Sequence, residues 1–172
     1  MSFSASLFDL LIKGIPESFL FVLAVFVFTR IKFEMKKYII LSLVFTLIVS
    51  LTRWLPINLG THTMLSLLIL IVLFIVANKV DLQSIIKTII SVIIIAIIIV
   101  ISEELNILLL LAIFGQSKTD ELLSGSSVMV SVYEIPSTVI FAVIILISHL
   151  IFVKIDKSKK VKDGEIGAKT GK

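Results

Sequence analysis

Residues 82–102, LQSIIKTIISVIIIAIIIVIS, decide the fold. From Val92 to Ile101 every residue except Ala96 is isoleucine or valine. Both favour strands in water, yet the run is too long for an ordinary strand and shows no polar/apolar alternation. As a helix at about 1.5 Å per residue, the stretch is roughly as long as a bilayer's hydrocarbon core is thick, about 30 Å. In lipid a helix satisfies each backbone group locally, so β preference loses. The stretch reads as a membrane-spanning helix.

The same reading extends along the chain. Of the 172 residues, 58% are hydrophobic and 16% charged, with a mean hydropathy of +1.18. A soluble domain keeps about a quarter of its residues charged, and this composition would leave large apolar patches facing water. Five apolar spans are expected, over about 7–29, 37–54, 62–77, 82–102 and 133–153. The fold class is therefore an all-α, polytopic membrane bundle occupying residues 1–154. The ten-residue run Leu105–Phe114 is too short to cross alone; it extends the fourth helix, lies in the interface or dips back in. Residues 118–127, with Gly125 and several hydroxyls, read as a loop.

Charge orients the spans. With the N-terminus outside, Arg30, Lys32, Lys36 and Lys37, then Lys79 and Lys87, then the tail lysines from Lys154 onward all fall on the cytoplasmic side. Only Lys13, Arg53 and Lys118 stay outside. The positive-inside rule favours this arrangement, N-out and C-in across a cell membrane, with Trp54 anchoring at the outer interface. Residues 155–172 are rich in lysine and glycine and read as a disordered tail able to rest on anionic lipid headgroups. The first span lacks a basic n-region and a small-residue cleavage site, so it is expected to be retained. Basic residues confined to connectors and a tail, without aromatic interleaving, argue against nucleic acid as a partner.

With no cysteine, disulfides, thiolate nucleophiles and cysteine-based metal or iron–sulfur sites are excluded. No cofactor or metal is indicated, and no phosphate loop or Ser/His/Asp arrangement is present. Under the N-out topology the acidic residues gather in the outer half. Glu17 lies deep enough in the first span to need a partner or a proton, and Lys13, one turn earlier, is within reach of it. Glu103 and Glu104 mark the outer end of the fourth span or line an outward polar pocket with Glu17 and Glu134. The pair is similar to the glutamates of CAAX-type intramembrane proteases, but Leu108 stands where that motif has arginine, and a general base without partners has no mechanism. His62, in the outer loop 56–63, and Arg53 complete the candidate ligand-binding set; His149 reads as a headgroup contact at the inner end of the last span. Pro16 and Pro136 open the first and fifth spans in the parallel phrases Ile15-Pro-Glu-Ser and Ile135-Pro-Ser-Thr.

Gly14-Ile-Pro-Glu-Ser at the head of the first span, the 56–62 outer loop, a glutamate closing a long aliphatic helix and Ile135-Pro-Ser opening the last span together resemble the membrane sensor region of Agr-type (GHKL) sensor histidine kinases of Gram-positive bacteria. The likeness covers about residues 7–152. It implies a bacterial module that binds an extracellular signal, often a peptide. Without a phospho-accepting helix or an ATP-binding domain, such a module would signal through a membrane protein partner such as a kinase. The expected function is a non-catalytic ligand-sensing or partner-modulating module acting through its outer face. The alternative is a small transporter, or the substrate-binding subunit of one, since intramembrane carboxylates are common in transport paths.

Overall fold

The computed structural model describes the backbone of residues 10–52, 59–78, 81–125 and 127–170. All elements among them are helical: a π-helical turn Leu10–Gly14 running into α1 (Ile15–Thr29), then α2 (Met35–Thr52), α3 (Leu59–Asn78), α4 (Leu82–Phe114), α5 (Gln116–Ser124), α6 (Ser127–Tyr133) and α7 (Ile135–Thr170). Four segments are long and apolar enough to cross a membrane: Leu10–Thr29, Met35–Thr52, Leu82–Phe114 and Val128–Ser158. A fifth apolar helix is described over Thr63–Asn78, within the 20-residue α3. The all-α membrane bundle expected from the apolar runs is the observed architecture.

The first helix is the hub. It packs against α2, α4 and α7, while α3 closes the side between α2 and α4. Phe21, Val22, Ala24, Val25 and Phe26 of α1 are buried against Phe45 of α2, Phe74 of α3, Ile95 of α4 and Phe141 of α7. Edge-on ring contacts join Phe26 to Phe74 at 5.0 Å and Phe21 to Phe141 at 5.5 Å. Small buried residues, Ser42, Ser66, Thr88 and Ser91, sit where helices meet, as they do where lipid offers no hydrophobic drive and close approach supplies the attraction. Two of these hydroxyls turn back on their own helix: Thr88 donates to the Ser84 carbonyl at 2.8 Å and Ser91 to the Lys87 carbonyl at 2.7 Å. That satisfies each group without water. The opposite faces are bare aliphatic surface, among them Leu47, Leu68, Ile93 and Leu146.

One end of the bundle is basic. α1 stops at Arg30, which takes a left-handed conformation with φ 55° and donates its N–H to the Phe26 carbonyl. The Arg30 guanidinium lies over the Phe152 ring at 4.6 Å and bonds Asp156 at 3.0 Å, tying α7 to the end of α1. Asp81 caps α4 at this same end through a hydrogen bond from the Ser84 amide at 3.3 Å; hydrogen bonding from the Ser84 side chain first, and from this amide second, holds its carboxyl below the ordinary aspartate value.

Several expectations are corrected. Of the three placements open to Leu105–Phe114, the first is observed: it extends α4, which runs for 33 residues, about 50 Å at helical rise. Glu103 and Glu104 are therefore inside a helix, not at its end. Gly115, at φ 74° and ψ 170°, ends α4, and residues 116–124 of the expected loop form α5, with Thr119 and Leu122 buried. Backbone helix begins at Leu59, so His62 belongs to the first turn of α3 and not to a loop. The backbone of α7 runs on helically to Thr170, where an unstructured tail was expected. A helix already nucleated in a span propagates without a new nucleation cost.

Candidate functional site

At the end opposite Arg30 the chain gathers its acids. Pro16 has no N–H to give the preceding turn, and residues 10–14 take the wider π register, a local form common at functional sites. Lys13 lies in this turn. Its ammonium bonds the Glu134 carboxylate at 2.5 Å, with 17% of the lysine side chain and 34% of the glutamate side chain exposed. Glu17 and Glu103 also lie within electrostatic reach of Lys13. The expected pairing of Lys13 with Glu17 one turn away is thus displaced by a contact across the bundle to Glu134, with Glu17 kept as an electrostatic neighbour.

Glu134 is held in place by the chemistry of the next residues. Pro136 cannot donate, so the ladder is broken where α7 begins. The Ser137 amide bonds the Glu134 carbonyl at 3.1 Å, and the Ser137 hydroxyl donates to the same carbonyl at 2.7 Å. The Tyr133 carbonyl, which an unbroken helix would pair with the Ser137 amide, instead accepts from the Asn106 side-chain amide at 3.0 Å. Asn106 is buried, and its side-chain oxygen has no hydrogen-bond partner among the described residues. It fastens the upper part of α4 to the junction of α6 and α7, supported by the Phe114–Tyr133 ring contact at 6.0 Å.

Between the three helices lies a narrow cleft lined by Glu17 and Phe21 of α1, Ile99, Ser102 and Glu103 of α4, and Ser137, Thr138 and Phe141 of α7. The Phe21–Phe141 contact floors it towards the core. The cavity is about 10 Å³, room for roughly one water-sized group. The Ser102 hydroxyl donates to the Ile98 carbonyl, leaving its lone pairs to accept from an occupant. Glu17 and Glu103 with these hydroxyls form an acceptor-rich niche, with the Lys13 ammonium within electrostatic reach of both carboxylates. Such a niche suits a small positively charged or hydrogen-bond-donating group.

Of the candidate residues, Glu17, Glu103 and Glu134 come together around Lys13. Glu104 is exposed on α4 beside them and interacts with Glu103 electrostatically. Arg53 lies outside the described residues, and of His62 only the helical backbone is described. Among the described residues, no three His, Cys, Asp or Glu side chains are grouped closely enough to hold a metal ion. Sequence reasoning missed Asn106, Ser102, Ser137 and Thr138 as parts of the site. Asn106 was detectable in principle as the sole polar residue in Leu105–Phe114. Comparison with known proteins gives no match: no protein-family model, no curated protein and no solved structure matches the chain.

Proposed function

We propose that the chain is a small multi-pass membrane module without catalysis of its own, which senses a ligand or modulates a partner protein through its acidic end. That end faces outward and the basic end faces the cytoplasm of a cell membrane, with the N-terminus outside and the C-terminus inside. The distribution of lysine and arginine supports this orientation, as does the Arg30–Asp156 latch at the basic end. The resemblance to Agr-type sensor regions agrees with it, and Pro16, Glu17 and Pro136 of that resemblance lie at or beside the cleft.

The carrying observation is the convergence of Lys13, Glu17, Glu103 and Glu134 from three parts of the chain around a water-sized cleft. Intramembrane charges are costly and persist where they have a use. The cleft takes an ammonium-sized head from the outer side, which the carboxylate and hydroxyl oxygens lining it accept as a hydrogen-bond donor. Thermal unfolding of the detergent-purified protein in methylammonium chloride, against sodium chloride at equal ionic strength, tests this. The wild type gains melting temperature and the Glu17→Gln/Glu103→Gln variant does not; no gain, or an equal gain in both, refutes it.

The same water-sized cavity between two carboxylates favours one second reading, a small transporter or its substrate-binding subunit. Flux of methylammonium into proteoliposomes holding this chain alone would promote that reading over the first.

A further inference from the structure

Glu104 presents a problem that the cleft does not solve. It is exposed, and it makes no hydrogen bond or ion pair among the described residues. With Lys87 at the inner boundary, Glu104 lies about 25 Å along α4, still inside a hydrocarbon core of about 30 Å. On a helix it shares a face with Ile97, Val100, Ile101 and Leu108, at spacings of seven, four and three residues. All four are about half exposed, between 47% and 59%. Beside them the small side chain of Ala96 leaves a shallow, open apolar dip among Ala96, Ile97, Val100 and Ile101, of the kind into which a second helix packs. This otherwise aliphatic face of α4 carries an exposed carboxylate.

We infer that this stripe of α4 docks a transmembrane helix of a different protein, one bearing a lysine or arginine in the outer third of its span. Charge complementarity selects that occupant. A symmetric second copy would bring Glu104 against Glu104, two like charges in low dielectric. The described cations of the outer half are not on offer either: Lys13 is held by Glu134 and Lys118 by Glu121 at 2.9 Å. Lipid alone leaves the carboxylate without a partner. The inference takes up the partner half of the function proposed above and is independent of what enters the cleft.

A photo-crosslinking amino acid placed at Ile97, Val100 or Leu108 of the full chain, irradiated in native membranes, tests it. One discrete protein adduct is expected at these positions, formed with a protein whose transmembrane helix has an outer-third lysine or arginine. Its yield should fall about tenfold in Glu104→Gln, the size of one interhelical polar contact in a bilayer, and recover in Glu104→Asp. Because Glu104 is exposed, neither variant disturbs packing, and an unchanged melting temperature verifies this. Adducts to lipid alone, to a second copy of this chain, or to a protein without that cation overturn the inference, as does a yield indifferent to Glu104→Gln. Glu17→Gln should leave the adduct intact, so failure here and failure of the cleft reading are separable.

Discussion

Replacing Lys13 by methionine removes the ammonium that lies within electrostatic reach of Glu17, Glu103 and Glu134. Breaking a fully buried pair from one side costs about 3–5 kcal/mol, but Lys13 and Glu134 keep 17% and 34% of their side chains exposed, so solvent screening reduces this to about 2 kcal/mol. Glu134→Gln keeps an acceptor for Lys13 while removing one charge, and should cost about 1 kcal/mol. The double variant removes both the cation and one of the three carboxylates that needed it, so it should be about 1–1.5 kcal/mol more stable than the sum of the single effects predicts. Unfolding in mixed micelles titrated with sodium dodecyl sulfate, followed by fluorescence of the single tryptophan, measures each corner of the cycle. Additivity within about 0.5 kcal/mol would show that the two residues do not act on each other and would remove the organising contact from the site.

Further outcomes follow from the same structure. Asn106→Leu leaves the Tyr133 carbonyl without its donor and should destabilise the fold by about 1–3 kcal/mol in the same titration; a neutral result would mean the junction is held by Phe114 and Tyr133 alone. Phe74→Ala empties the contact with Phe26 and should cost about 3–5 kcal/mol. Gly115→Ala meets no atom within 4 Å, so any loss, about 1–3 kcal/mol, comes from its φ of 74°; Gly115→Asn, which tolerates positive φ better, should lose less. The Asp81 cap titrates in a defined direction. Its folded-state value is lowered by Ser84, so its contribution is complete above the ordinary aspartate value and is lost as pH falls through the lowered one. Amide hydrogen exchange in the first turn of α4, corrected for intrinsic rates, should accelerate only in that acidic window and not at neutral pH.

How much of this was readable in the sequence depends on the range of each interaction. Spans come from local composition, so the apolar runs at about 7–29, 37–54 and 82–102 could be read directly, each overlapping an observed helix. The continuation through Leu105–Phe114 could not, because Glu103 and Glu104 look like a boundary until one sees Glu103 turned to a cleft and Asn106 bonded to Tyr133. The acidic end was legible as a list of residues, since topology alone collects Glu17, Glu103 and Glu134 on one side. Its pairing was not. Sequence spacing offers Lys13 the glutamate one turn away, whereas the fold supplies one 121 residues distant, brought there by the parallel packing of α7 alongside α1, start beside start and end beside end. Likewise α5 was hidden by its polar composition: only Thr119 and Leu122 are buried, too little to show as a period in nine residues.

The central claim is that the carboxylate end of the bundle faces the outside. The chain has no cysteine, so one introduced thiol reports one position. Intact cells expressing Ser124→Cys or Lys157→Cys, treated with a membrane-impermeant maleimide, should label Ser124→Cys at once and Lys157→Cys only after permeabilisation. Immediate labelling of Lys157→Cys with protection of Ser124→Cys would turn the bundle over, put the cleft on the cytoplasmic side and contradict the account.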